Sequence, residues 1–174
     1  MEKDFHFYCI ASLAKSAGFN AEDALTIAFA SQYVDDATEH KPVSLKGFFF
    51  HPVRTAHKGL KSYDENIQYN ILIPFHFLPA NPVVHPGESY ITAANSPFAQ
   101  IILRDALREK NETLFLYRLG VALHTFADTW AHQGFSGRKN FRNRIFNLFF
   151  QERGKWKKPW RSEEHTSELQ SPNT

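Results

Sequence analysis

Apolar residues recur three and four positions apart through most of the chain, the spacing that places them on one face of an α-helix. Capping residues, prolines and glycines mark where this spacing begins and ends. The helices predicted in this way cover residues 4–17, 20–36, 63–73, 96–108 and 112–133. The first carries four apolar residues on one face, Phe5, Cys9, Leu13 and Ala17. Because no stretch of useful length alternates between apolar and polar residues, the sequence predicts a single, mostly helical domain of the all-α class.

The ends of these helices follow from local chemistry. Asn20 is a favourable N-cap with acidic residues after it, and Ser96 followed by Pro97 is a typical helix start. Pro74 is expected to end the third helix and Gly134 the fifth. Residues 38–60 are expected to form a loop.

The composition is that of a globular protein, with 43% hydrophobic and 22% charged residues among 174, so a disordered or collagen-like chain is excluded. No apolar run is long enough to span a bilayer, and the first residues do not resemble a signal peptide. A soluble, cytoplasmic protein is therefore expected. Cys9 is the only cysteine, so no internal disulfide can form.

The last fourteen residues, RSEEHTSELQSPNT, differ abruptly from the Phe-, Trp- and Lys-rich segment before them. They resemble a translated sequencing adapter, the alternative being a genuine polar tail. We therefore expect a helical metal-binding domain in residues 1–160 and a non-native tail in residues 161–174, with the natural sequence continuing after Trp160.

The fifth helix carries the most informative polar residues, His124, Asp128 and His132, spaced four apart. Each step turns the helix by only about 40°, so the three side chains form one stripe that could hold a metal ion. Gly120, Ala127 and Ala131 lie beside the stripe and allow other elements to approach closely. The alternatives are a hydrogen-bonded His–Asp–His ladder within the core, or Asp128 paired with an arginine of another helix, since buried polar groups need partners.

Adjacent carboxylates at the end of the second helix form another candidate site. Asp35 and Asp36 lie at the negative end of the helix dipole, where a cation is expected to compensate them. A solvated helix end beside a lysine is the alternative. His6 lies within an aromatic run of the first helix, and a lone histidine there is more often a core residue than a ligand. The other histidines, including His76, carry little signal alone.

Several sequence blocks together resemble a bacterial family of unknown function. They are DFHFY, SQYVDDAT, IPFHFLP, NSPFAQ and LHTFADTWAHQGFSG. More distantly, LHTFADTWAH is similar to a helix in the zinc-dependent phospholipase C and S1/P1 nuclease superfamily. This second resemblance implies an all-α fold that holds one to three Zn²⁺ ions, with Mn²⁺ or Fe²⁺ as substitutes, and activates water against a phosphoester.

The superfamily resemblance also implies roles for individual residues. His124 and Asp128 would bind a first metal ion and His132 a second. The other implied ligands are His6, Asp35 or Asp36, and His57, with Asp35 or Asp36 also a candidate general base. This sequence departs from the pattern because it lacks the N-terminal tryptophan ligand and because His132 follows Asp128 by four residues instead of six.

Two other functional classes compete with a metal-dependent hydrolase acting on a small-molecule or phosphoester substrate. One is a non-catalytic helical metal-binding or interaction protein, whose closed ligand shell would leave no open coordination position. The other is a binder of nucleic acid or anionic membrane through residues 138–160, which carry eight basic residues among aromatic ones. Such charge runs are usually a solvated face, and neither the substrate nor the oligomeric state can be predicted from the sequence.

Overall fold

The computed structural model of the chain describes residues 3–39, 41–57, 64–80, 90–138, 143, 150–152 and 155–157. Most of these residues are helical, in agreement with the predicted class. The helical segments are a π-helix at Asp4–Cys9 continuing as α1 (Ile10–Ser16), α2 (Ala21–Asp36), α3 (Glu65–Ile67) continuing as a second π-helix at Gln68–His76, α4 (Pro97–Ala106) and α5 (Glu112–Ala131). The predicted tail and most of residues 138–160 lie outside the described residues.

Helices α2 and α5 pack against each other through the centre of the protein. Gly120 lies at their crossing, where a Cβ atom would come within 2.6 Å of Ala30 Cβ. The predicted close approach at this glycine is therefore confirmed. The core beside it is built from small and branched residues, namely Ile10, Ala14, Ala24, Ile27, Ala28 and Leu119.

The predicted helix starts are confirmed by their capping hydrogen bonds. Asn20 Oδ1 accepts from the Asp23 amide at 2.8 Å, and Ser96 Oγ accepts from the Ala99 amide at 3.2 Å. Gly134 has a positive φ of 85°, as expected of a residue that follows a helix end.

The predicted apolar face of the first helix is the solvent-facing one. Phe5 and Leu13 are exposed, whereas His6, Ile10 and Ala14 are buried. The buried face therefore starts at a histidine. The apolar pattern alone cannot identify this buried face, because His6 is held in the interior by polar contacts.

The third helix does not end before Pro74 but continues as a π-helix to His76. Its hydrogen bonds span five residues instead of four, and the last of them joins the Phe77 amide to the Leu72 carbonyl at 2.7 Å. Proline cannot donate a backbone hydrogen bond, yet the chain keeps its helical path past it. This path carries His76 into the protein interior.

Two short antiparallel strand pairs accompany the helices of this mostly helical fold. Strands β1 (Val43–Leu45) and β2 (Phe48–Phe50) pair antiparallel, as do β3 (Phe150–Glu152) and β4 (Lys155–Lys157). The first hairpin turns at Lys46 and Gly47, both with positive φ, as in a type I′ turn. Its strands are too short for their alternation to be recognised in the sequence.

Among the described residues, no helix has both the length and the apolar character needed to cross a membrane.

Gly120→Ala should destabilise the protein, although alanine is the better helix former. A Cβ at position 120 overlaps α2, so the free energy of unfolding should fall by about 1–3 kcal/mol in chemical denaturation. In the control variant Gly18→Ala the new Cβ meets no atom within 4 Å, and only the positive φ opposes it. A Gly120→Ala variant as stable as the parent would contradict the close packing of α2 on α5.

Candidate metal centre

The Asp128 carboxylate is fully buried and surrounded by histidine nitrogens. Helix α5 supplies Asp128 itself, and the rings around it come from both π-helices and from α5. The nitrogen-to-oxygen distances are 3.1 Å for His76 Nδ1, 3.2 Å for His6 Nε2, 3.3 Å for His124 Nε2 and 3.6 Å for His132 Nε2. Segments far apart in the sequence therefore converge on one acidic side chain.

Three of these atoms form a nearly equilateral triangle. Asp128 Oδ2 lies 3.1 Å from His76 Nδ1 and 3.3 Å from His124 Nε2, and the two nitrogens lie 3.2 Å apart. Ligand atoms bound to one tetrahedral Zn²⁺ at about 2.0 Å lie about 3.3 Å from one another. The spacing of the three atoms therefore matches one face of such a coordination shell, and the group could hold a metal ion.

Asp35 completes the cluster from the end of α2. Its Oδ1 lies 3.6 Å from His76 Nδ1 and 3.7 Å from His124 Nε2, and its Oδ2 lies 3.9 Å from His6 Nε2. The residues His6, Asp35 and His124 form a second group whose ligand atoms could hold a metal ion. The Asp35 side chain is 27% exposed, whereas His6, His124 and Asp128 are fully buried. Asp35 therefore lies where the cluster meets solvent.

The charges of the cluster are set by competition between burial and ion pairing. Burial alone would raise the pKa of Asp128, but hydrogen bonds from the surrounding histidines lower it well below its usual value. Burial lowers the pKa of His76, but Asp128, Asp35 and the Thr55 carbonyl raise it overall. Burial keeps the pKa of His124 below its ordinary value, and the charges of His6 and His76 add to that effect. In this cluster the Asp128 carboxylate is therefore ionised, the shift at His76 favours the protonated ring, and the shift at His124 favours the neutral ring.

The proton on His76 Nε2 determines which ring atom faces the Asp128 carboxylate. His76 Nε2 lies 2.8 Å from the Thr55 carbonyl, which can only accept, so Nε2 carries a proton. In a neutral ring, Nδ1 then directs its lone pair at the Asp128 carboxylate from 3.1 Å. Two electron-rich atoms at that distance repel each other unless a proton or a metal ion lies between them.

Three other rings direct their Nε2 atoms at the cluster. The Nδ1 atoms of His6, His124 and His132 are buried and have no hydrogen-bond partner within the described part of the chain. Among the described residues, these three rings therefore make their polar contacts through Nε2 and not through Nδ1. His6 and His124 stack with ring centres 3.9 Å apart, and His132 stacks on Phe77, so packing fixes their orientations.

The structure brings together five of the candidate residues chosen from the sequence, His6, Asp35, His124, Asp128 and His132. Asp36 and His57 belong to neither of the two groups of described residues whose ligand atoms could hold a metal ion. Asp36 is exposed, and its carboxylate accepts a hydrogen bond from Gln32 at 3.3 Å. His57 is partly buried. Of the two adjacent carboxylates, only Asp35 faces the histidines.

Sequence reasoning missed His76. It lies in the apolar stretch IPFHFLP, and its place at the end of a π-helix could not be inferred because proline normally ends a helix. The available signal was a single histidine enclosed by phenylalanines, where an unpartnered polar ring is costly.

An apolar cavity of about 410 Å³ lies between α4, α5 and the second π-helix. Pro74 and Phe75, which precede His76, line this cavity together with Thr125, which follows His124. The cavity wall and the metal-ligand cluster therefore share two chain segments.

Comparison with known proteins yields one match. The model of a family of unknown function, DUF6765, matches residues 1–173. No curated protein and no solved structure matches the chain. The resemblance to the phospholipase C and nuclease superfamily accordingly gains no support and stays a prediction.

Asp128→Asn should destabilise the fold even without metal, because it removes the charge that the surrounding rings compensate. In the presence of a chelator, the free energy of unfolding should fall by about 3–5 kcal/mol in urea denaturation. Asp36→Asn, the same change on an exposed carboxylate of α2, is the control and should have little effect. Equal stability of the two variants would contradict the role of Asp128 as the charged centre.

Proposed function

We propose that this chain, which belongs to the DUF6765 family of unknown function, is a metal-dependent hydrolase. Its metal ion is bound by His76, His124 and Asp128. The observation that carries this proposal is the triangle of ligand atoms with sides of 3.1 to 3.3 Å. A hydrogen-bonded ladder needs only pairs of atoms at such distances. Three ligand atoms at nearly equal mutual distances are what a metal ion requires.

We assign one ion to this cluster. The two groups that could hold a metal share His124, and an imidazole nitrogen has a single lone pair with which to bind one ion. Asp35 and His6 are then additional ligands or neighbours of the same ion. Imidazole and carboxylate ligands suit Zn²⁺, with Mn²⁺ and Fe²⁺ as substitutes in the same geometry.

The proposed reaction is hydrolysis by water. A bound Zn²⁺ supplies a Lewis acid that brings the pKa of water toward about 7. Asp35 is the general base, since it is the most exposed carboxylate beside the cluster and lies within 4 Å of three imidazole nitrogens. Its oxygens can orient the water and accept its proton, while Asp128, fully buried, stays ionised as a ligand.

A phosphoester substrate with an apolar portion fits this proposal. The phosphoester follows from the predicted superfamily resemblance. The apolar portion follows from the apolar cavity, whose lining residues Pro74 and Phe75 directly precede His76 in the chain. Arg118 also lines the cavity, but it is paired with Asp105 at 2.6 Å and Glu109 at 2.7 Å.

A non-catalytic metal-binding protein is the second candidate. It is favoured by the complete burial of His6, His124 and Asp128, since structural metal sites are closed to solvent. The two candidates predict the same metal content and differ in whether Asp35 leaves a coordination position open for water.

Purified protein should contain close to one equivalent of Zn²⁺, Mn²⁺ or Fe²⁺ by elemental analysis. The variant His76→Ala, His124→Ala should contain none, because two of the three triangle atoms are removed. His51→Ala, which removes an exposed histidine of the hairpin region, is the control and should keep its metal. A chelator should lower the Tm of the parent and added metal should restore it. A metal-free parent whose Tm does not respond to metal would exclude the site and leave the core ladder.

Metal-loaded protein should hydrolyse a chromogenic phosphodiester such as bis(4-nitrophenyl) phosphate. Asp35→Asn should lower kcat by about 10²–10⁴-fold because the amide cannot accept the proton. Asp36→Asn should leave kcat unchanged. A fully loaded parent without hydrolytic activity on a panel of esters would contradict the hydrolase and favour the second candidate.

A further inference from the structure

The hairpin formed by β1 and β2 exposes an unusual amount of apolar surface. Five of its six strand residues have large apolar side chains, Val43, Leu45, Phe48, Phe49 and Phe50, and all five are exposed. Phe48 is 69% exposed and Phe49 is 75% exposed. Val53, just beyond β2, is exposed as well. Such a patch on a small hairpin is typical of an interaction site.

The apolar side chains lie on both faces of the hairpin. Val43 is opposite Phe50 and Leu45 is opposite Phe48, which places these four on one face because side chains alternate along a strand. Phe49 is opposite Ser44 on the other face. A flat protein partner would cover one face only. A medium that surrounds the hairpin would bury both.

The charge around the hairpin identifies that medium. Residues 40–63 contain five lysines and arginines and no aspartate or glutamate. Lys41 precedes β1, Lys46 lies at the turn and Arg54 follows β2, so positive charge borders the apolar tip in the described part of the segment. Apolar residues that enter the acyl region, bordered by lysines that meet phosphate headgroups, are the composition of an interfacial membrane anchor.

We propose that the β1–β2 hairpin inserts into the surface of an anionic lipid bilayer. The hairpin forms one closed loop that begins beside the metal-ligand cluster. The Thr55 amide donates to the Ala37 carbonyl at 3.0 Å, and Thr55 Oγ1 donates to the Val34 carbonyl at 2.8 Å. These bonds join the end of the loop to the end of α2, one turn from Asp35. Lys46 is nine positions after Ala37, so the tip lies at most about 30 Å from Ala37 at the end of α2.

This proposal is independent of the metal and is tested by vesicle co-sedimentation of the full chain. Binding to phosphatidylcholine vesicles that contain phosphatidylserine should exceed binding to phosphatidylcholine alone, and about 1 M salt should weaken it. Phe48→Ser, Phe49→Ser should lower the partition coefficient at least about tenfold. Lys41→Glu, Lys46→Glu should remove the preference for the anionic lipid.

The matched control is Phe29→Ser, Tyr33→Ser, which removes two exposed, stacked aromatic rings from α2 and should leave vesicle binding unchanged. Phe49→Trp provides a second readout that does not weaken the hairpin. The emission that it adds to that of the three native tryptophans, measured against the parent, should shift to the blue when anionic vesicles are added. No binding by the parent, or equal binding by the hairpin and control variants, would overturn the proposal. Concentration-dependent self-association that the hairpin variant abolishes, without any vesicle binding, would also overturn it and identify a second copy of the chain as the occupant.

Discussion

Asp128 carries a negative charge at a position that solvent does not reach, and the compensation of this charge determines where the surrounding chain must go. An isolated buried carboxylate is costly enough to unfold a small domain. Here the compensating imidazoles come from three places: the first π-helix, the second π-helix and α5 itself. The arrangement of these segments follows from the requirement that each bring a histidine ring to the same carboxylate.

The two π-helices serve this requirement directly. Successive side chains of an α-helix are rotated by a fixed angle. Once the helix packs by its apolar face, the direction of a histidine on it is therefore already determined. A stretch with hydrogen bonds five residues apart changes the step and reorients the side chains after it. Both π-helices contain a histidine of the cluster, His6 in one and His76 at the end of the other. The close crossing of α2 over Gly120 then brings Asp35 toward the same residues.

The sequence was informative where local rules determine the structure. The starts of α2 and α4 depend on capping side chains, and the stripe of His124, Asp128 and His132 depends only on helical periodicity. His6 and Asp35 were named on the basis of the superfamily resemblance as well as on local context. The β1–β2 hairpin was missed because three-residue strands show no detectable alternation. His76 and the buried face of the first helix were missed for another reason. Burial there is decided by polar contacts between distant segments, which no local apolar pattern reports.

The contact between His76 and Thr55 affects which sequence changes the site can tolerate. The proton on His76 Nε2 is fixed by a main-chain carbonyl, at 2.8 Å, and not by a side chain. Every amino acid supplies that carbonyl, so replacing the Thr55 side chain cannot delete the acceptor. The ring orientation is thus encoded in the path of the chain between α2 and α3. A substitution at position 55 keeps the acceptor but removes the Thr55 Oγ1 bond to the Val34 carbonyl that helps to hold it in place. An insertion or deletion in the loop, with no ligand altered, would displace the acceptor and disturb the site.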